Sequence, residues 1–247
     1  MSKSVIIIPS RLSATRLPNK PLIKINNKSL IMHVYEKAIK SKIGEVYVAT
    51  CDKEIALEVK KNRGKFIMTN ASHTNGTERV YEASKKLDLS NFDFIINVQG
   101  DEPMINPSDI IKLKEISIKN KLDFSTLAYK LKSKKIYNDK NVVKVITKKK
   151  ITKSSFSEAQ TFKKKVTLNS YKHIYHHLGV YLYKFSTLKK FVNLNKSKEE
   201  ITEKLEQLRA INNGVNINVL LANHFSSGID TEKDLIKNIK LLNKKKK

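Results

Sequence analysis

Through the first hundred residues, short apolar runs alternate with stretches of helical spacing. Val5 to Pro9 reads as a buried strand, and Ser29 precedes Leu30, Ile31, Val34 and Ala38, whose spacing gathers apolar groups on one helix face. Glu45 to Thr50 is the next strand. Asp52 is placed to cap a helix running to about Asn62, and Gly64 stands where a helix stop tolerates positive φ. Lys65 to Met68 is a short third strand and Thr77 to Leu87 another helix. Phe92 to Val98 is a continuous apolar run of the kind found inside parallel sheets. This alternation predicts βαβ units wound on both faces of a mostly parallel sheet.

Beyond Pro107, with Ser108 and Asp109 near a helix start, the alternation loosens. Phe124 to Leu131, Asn141 to Thr147 and His177 to Tyr183 read as longer, partly antiparallel strands, while Thr147 to Tyr175 has no readable period. A helix over about Lys198 to Asn212, a strand at Val215 to Ala222 and a final helix from Thr231 complete the chain. The expected fold is α/β, a mostly parallel sheet with helices on both faces and a smaller mixed or antiparallel lobe. Without a repeat or a linker, residues 1–247 are expected to form one domain.

No apolar run approaches the roughly 20 residues that cross a bilayer, so no membrane role is expected. Met1-Ser2-Lys3 leads directly into the first strand, too short an apolar run for a secretion signal, which makes the cytoplasm the expected compartment. The single cysteine, Cys51, leaves no disulfide framework and no Cys-rich zinc site. A net charge of +26 raises nucleic-acid binding. The positive charge is nearly all lysine, however, with arginine only at positions 11, 16, 63, 79 and 209, although the planar guanidinium is the better group for phosphate and base contacts. Runs such as Lys148 to Lys150, Lys163 to Lys165 and Lys244 to Lys247 are therefore read as solvated surface, and no specific nucleic acid is expected as a partner.

Three segments carry chemistry. Pro9-Ser10-Arg11-Leu12-Ser13-Ala14-Thr15-Arg16-Leu17-Pro18-Asn19-Lys20 leaves the carboxyl end of the first strand, where ligands bind in open α/β sheets. Arg11 and Arg16 can chelate phosphate oxygens while Lys20 acts as a mobile point charge, which suits a polyphosphate. The plainer reading is an exposed basic loop. Neither a P-loop nor a G-x-G-x-x-G fingerprint is present. The second segment, Asn97-Val98-Gln99-Gly100-Asp101-Glu102-Pro103, places Asp101 just past an apolar strand, either as a magnesium ligand or as turn chemistry. In the third, Gly228-Ile229-Asp230-Thr231, either Asp230 or Thr231 can cap the last helix, or Asp230 can supply a second carboxylate to a metal.

Together these segments resemble the 3-deoxy-manno-octulosonate cytidylyltransferases, also called CMP-Kdo synthetases, of the nucleotide-diphospho-sugar transferase superfamily with its Rossmann-like fold. The resemblance extends over nearly the whole chain and includes Gly76-Thr77-Glu78-Arg79, His177-Leu178-Gly179-Val180-Tyr181 and Leu205-Glu206-Gln207-Leu208-Arg209. It implies transfer of CMP from CTP to 3-deoxy-D-manno-octulosonate (Kdo), with release of pyrophosphate, for lipopolysaccharide synthesis by a homodimer using Mg²⁺. It further implies nucleotide binding by Ser10, Arg11, Arg16, Lys20, Gly76 and Arg79, with Arg11, Lys20 and Asp101 catalytic and Asp101 and Asp230 on the metal. Gln99, His177, Tyr181, Glu206 and Gln207 match positions that line the sugar-acid pocket. Their bland alternatives are core packing for Tyr181 and helix surface for Glu206 and Gln207, with a Glu206–Arg209 ion pair as a further possibility. Of the adjacent His176 and His177, at most one faces the site, because neighbours on a strand point to opposite faces.

The chain departs from the family at Phe156-Ser157-Glu158, where an arginine usually follows the serine. An acid there repels a carboxylate substrate and leaves a modified Kdo, with an amino group replacing a hydroxyl, as an alternative. A noncatalytic basic nucleic-acid-binding protein is the alternative from another class.

Overall fold

The structure is a computed structural model that describes residues 2–13, 16–88, 92–131, 133–167 and 170–244. Thr15 of the basic loop and Lys245 to Lys247 of the terminal lysine run lie outside these residues. The chain divides into two compact units, Met1–Ile111 with Ser226–Lys247, and Lys112–Phe225.

The first unit opens with β1 (Ser4–Pro9), a wholly buried strand. A short hairpin follows, β2 (Lys24–Ile25) and β3 (Lys28–Ser29), turned by Asn26 and Asn27 at φ 51° and 63°. Asparagine tolerates that left-handed geometry, which matches the twist of a two-residue hairpin. Then come α1 (Leu30–Lys40), β4 (Glu45–Thr50), α2 (Lys53–Lys61), β5 (Lys65–Met68), α3 (Gly76–Lys85) and β6 (Phe94–Val98). The strands are parallel in the order β5, β4, β1, β6. From β1 the chain steps outward through β4 to β5, then crosses back to place β6 on the other side of β1. Right-handed crossovers therefore put α1 and α2 on one face and α3 on the other. The reversal also makes the carboxyl ends of β1 and β6 the switch point of the sheet.

Two local expectations are corrected here. Gly64 is not the left-handed stop of α2; Arg63 takes that role at φ 57°. The glycine is needed for space, since a Cβ there would lie 2.7 Å from Val59 Cγ1. Asp52 occupies the N-cap position of α2 but makes no side-chain cap. Its carboxylate instead accepts a hydrogen bond from the Leu12 amide at 2.8 Å, anchoring the loop after β1.

The division between the units falls within α4 (Pro107–Lys119), which starts at a proline as helices tolerate. The second unit contains β7 (Phe124–Lys130), β8 (Lys144–Thr147), β9 (Phe156–Lys163), β10 (Ile174–Lys184), α5 (Phe185–Val192), α6 (Lys198–Glu203), α7 (Gln207–Asn212) and β11 (Asn218–Leu221). Here β10 pairs antiparallel with β7, β7 parallel with β11, β11 antiparallel with β9 and β9 antiparallel with β8. Because β8 also pairs with β10, the sheet closes on itself and has no free edge at that end. Lys144 is fully buried and donates to the Asp139, Val142 and Lys164 carbonyls at 2.6 to 2.7 Å, so its charge is met by backbone dipoles.

The single late helix expected over Lys198 to Asn212 is two helices, separated where Lys204 takes φ 53°. Buried Arg209 forks onto Glu200 at 2.9 and 2.6 Å and ties the two together. The chain then returns to the first unit through α8 (Glu232–Lys244), whose Leu235, Ile239 and Leu242 pack on Ile25, Leu30 and Ile229. Among the described residues no helix is long and apolar enough to cross a membrane.

Candidate active site

At the switch point the two central strands are held unusually close. A Cβ on Gly100 would stand 2.8 Å from the Pro9 carbonyl oxygen, so only glycine lets the chain leaving β6 pass the end of β1. Gly76, the first residue of α3, sits against both strand ends, its notional Cβ 3.3 Å from Pro9 and 3.4 Å from the Gln99 amide. Asn75 caps α3 by accepting the Glu78 amide at 2.9 Å, while Glu78 reaches back to the Asn75 side chain at 2.7 Å. The three elements enclose a cavity of about 330 Å³. Ser10, Arg11, Arg16, Lys20, Gly76, Arg79, Gln99, Asp101 and Asp230, all named from the sequence, line it.

Asp230 reaches Asp101 because the segment before α8 is fastened to the segment after β6. The Ile229 amide donates to the Asp101 carbonyl at 3.0 Å, and the Ser226 hydroxyl donates to the Glu102 carboxylate. The capping role at α8 falls to Thr231, whose hydroxyl accepts the Asp234 amide at 3.3 Å while Asp234 accepts the Thr231 amide at 3.0 Å. The Asp230 carboxylate is thereby left for the cavity.

Lys20 is delivered by a 3-10 turn, Lys20–Leu22, entered through Asn19 at φ 53°. Its ammonium bridges the two acids, 2.7 Å from Asp101 Oδ2 and 3.0 Å from Asp230 Oδ1, and Arg16 lies 3.1 Å from Asp230 Oδ2. Burial works against the charge on Lys20, but Asp101 and Asp230 outweigh it and hold its pKa above the ordinary lysine value. Burial likewise works against ionisation of Asp230, yet Lys20 and Arg16 keep its pKa below the usual aspartate value. Arg11 lines the same cavity from an exposed position. The Ser10 hydroxyl is buried without a partner among the described residues; an orphaned polar atom on a cavity wall is what a ligand would satisfy.

The two carboxylates are the pair that could hold a hard divalent cation. They supply hard oxygens around a position already filled by a cationic group, and no set of three or more His, Cys, Asp or Glu side chains suited to a metal occurs among the described residues. This donor set fits an ion such as magnesium, which uses one or two carboxylates and completes its shell with phosphate oxygens and water.

Arg79 is buried, and its guanidinium donates to Thr69 Oγ1 and the Asn70 carbonyl, bracing the loop between β5 and α3. Glu82, one turn further along α3, holds the same loop: its carboxylate accepts the Asn70 amide at 2.8 Å, meets His73 and pairs with Lys86 at 2.8 Å. These contacts prevail over burial and lower the Glu82 pKa to about 2. This brace was not legible in the sequence, nor was the cap that Asn75 makes on α3.

His177, Tyr181, Glu206 and Gln207 belong to the second unit. His177 and Tyr181 are buried on β10 with ring centroids 5.2 Å apart. Burial, then Tyr183 and Glu206, raises the Tyr181 pKa well above its usual value. Gln207 is buried at the start of α7. His176 packs against Phe225 and His177 against Phe162, so the two imidazoles have separate surroundings.

A parallel sheet reversed at β1 and β6, with a basic loop and a paired acid at that reversal, defines a nucleotide-binding α/β enzyme of the nucleotidyltransferase class. A cytidylyltransferase family model matches residues 5–217. The chain is similar to the 3-deoxy-manno-octulosonate cytidylyltransferases of Thermodesulfovibrio yellowstonii, at 40% identity over 94% of this chain and 95% of that protein, and of Brucella anthropi, at 38% over 94% of each. It is also similar to a solved CMP:2-keto-3-deoxy-manno-octonic acid synthetase complexed with CTP, with a TM-score of 0.86 and 35% identity over 99% of this chain and all of that one. The chain belongs to the 3-deoxy-manno-octulosonate cytidylyltransferase family.

Proposed function

We propose that this chain transfers CMP from CTP to the anomeric hydroxyl of Kdo and releases pyrophosphate, in the cytoplasm, as a homodimer that supplies lipopolysaccharide synthesis. One observation carries the reading: Arg11, Arg16 and Lys20 share a cavity with Asp101 and Asp230 at the reversal of the sheet, in a chain of this family. The anomeric oxygen forms a bond to the α-phosphorus as the bond from that phosphorus to the bridging oxygen of pyrophosphate breaks, and the hydroxyl's proton passes to water or to the released pyrophosphate. Charge moves to the leaving oxygens, where fixed cations stabilise the transition state more than the ground state.

In this reading Arg11, Arg16 and Lys20 hold the triphosphate, and Ser10, Gly76 and Arg79 form the wall for the rest of the nucleotide. Gln99, His177, Tyr181, Glu206 and Gln207 position the sugar acid. Asp101 and Asp230 would hold Mg²⁺, which when bound neutralises phosphate charge and makes a coordinated hydroxyl more acidic. Glu158, which stands where the family usually has arginine, is paired with Lys148 at 2.6 Å. Its charge is thus met within the protein and gives no reason to prefer an amino sugar. The test is pyrophosphate release from each of the four nucleoside triphosphates against a panel of ulosonic acids, with and without magnesium. Turnover confined to CTP and Kdo is expected; faster turnover of an amino sugar, or of another nucleotide, would replace the substrate named here.

A further inference from the structure

Strand β10 departs from its ladder with β7 at one place. Leu178 is opposite Leu127 and Tyr181 is opposite Thr126, so Gly179 and Val180 bulge out between them. A bulge frees main-chain groups from the ladder and re-aims nearby side chains. Here the Thr126 hydroxyl donates to the Val180 carbonyl at 2.7 Å. The same hydroxyl oxygen lies 3.0 Å from His177 Nε2. A threonine has a single hydroxyl proton and a carbonyl oxygen can only accept, so that proton is committed to Val180. Nε2 must then be the donor, which in a neutral imidazole leaves Nδ1 as an unprotonated acceptor.

The imidazole is neutral for a separate reason. Burial, and then the neighbouring His176, push its pKa down to about 3. The ring is also held in place: Phe162 meets it edge-on at 5.1 Å and Tyr181 lies at 5.2 Å. Thr126 is fully buried, so water does not compete for its hydroxyl.

We propose that Thr126 is a positioning residue that locks His177 in the Nε2-protonated tautomer, so that Nδ1 is a fixed hydrogen-bond acceptor for a hydroxyl of the sugar acid. The proposal deepens the function given above and rests on it for the identity of the donor. The carbonyl that takes the threonine's proton belongs to Val180, one of the two bulged residues.

Nitrogen-15 correlation spectra of the imidazoles read the tautomer directly in ligand-free protein, with His177→Gln assigning the resonance. The wild type is expected to show Nε2 protonated. Thr126→Val should mix or invert the tautomers and raise KM for Kdo roughly ten-fold, the worth of one misdirected hydrogen bond, with KM for CTP unchanged. Thr126→Ser, which keeps the hydroxyl, should restore both. Nδ1 protonated in the wild type overturns the proposal, as does Thr126→Val with both tautomer and KM for Kdo unchanged. A rise in both KM values that serine does not rescue shows a merely structural threonine and also overturns it. Should the valine variant fail to fold, the wild-type spectrum and the serine variant still decide. If no ulosonic acid is turned over while the wild type is Nε2-protonated, the substrate reading fails and the tautomer lock stands.

Discussion

Lys20 touches both Asp101 and Asp230, and this shared contact separates charge from shape as the property of the acids that matters. Asp101→Asn keeps the side chain's size and one accepting oxygen but removes the charge. Turnover should fall by about 100-fold or more, the scale of losing an electrostatic element of a reaction centre, while Tm moves by only a few degrees. Near-normal turnover with magnesium would show that the carboxylate is not needed. His177 gives a residue-scale prediction in pH. Its folded pKa of about 3 lies below the unfolded value near 6.5, so between these limits the unfolded chain binds a proton that the native state refuses. Stability from the neutral ring is therefore complete above about pH 6.5 and lost as pH falls toward 3. His176 adds to burial in disfavouring the charged ring, and Tyr181, Thr126 and Phe162 complete its surroundings. Thermal melts of wild type and His177→Gln should diverge across that window, with the variant losing less; parallel curves would mean that the ring is protonated in the native state. The site's cations and acids were legible because each stands in a polar segment directly after an apolar strand or before a helix. Thr126 was not, because its role depends on a bulge that no residue pattern announces.

At the scale of elements, α3 does more than carry Gly76 to the cavity. Glu78, Arg79 and Glu82 project from it onto the preceding loop, and Glu82 alone meets an amide, an imidazole and an ammonium. Replacing Glu82 by alanine releases all three. The β5–α3 loop, which ends in the cavity-lining Asn75, should then pay its ordering entropy on nucleotide binding, raising KM for CTP roughly ten-fold with kcat little changed. A fall in kcat at constant KM would contradict this, and Glu82→Gln, which still accepts the Asn70 amide, should lie between. The helices and strands of the first unit were readable because apolar period and buried face coincide there. β9 was not: its inward positions include Ser157 and Ala159, whose small side chains leave no apolar period, and what holds it is pairing with β8 and β11. The break between α6 and α7 was invisible for a similar reason, since it falls on a lysine at positive φ with neither glycine nor proline to mark it.

For the whole molecule the dominant number is a net charge of +26. Such a field attracts any polyanion and raises its local concentration near the surface. The charge is mostly compact lysine ammonium on flexible stems, without the guanidinium forks that read bases, so it should bind duplex DNA weakly and without regard to sequence. Binding of that kind is driven by counterion release and falls steeply with salt, by about 10³ or more in affinity between roughly 50 and 200 mM if six or more phosphates are neutralised. The cavity contacts behave differently. Lys20 is largely buried between its two acids, where screening by salt is far weaker than at the surface. Raising salt over the same range should therefore abolish DNA binding while KM for CTP rises only several-fold, through the loss of long-range attraction. Fluorescence anisotropy with two unrelated duplexes, run beside the pyrophosphate assay at each salt concentration, measures both. Duplex binding that survives at 200 mM salt or distinguishes the two sequences would mean that the lysine surface has a role of its own, and that catalysis is not the chain's only function.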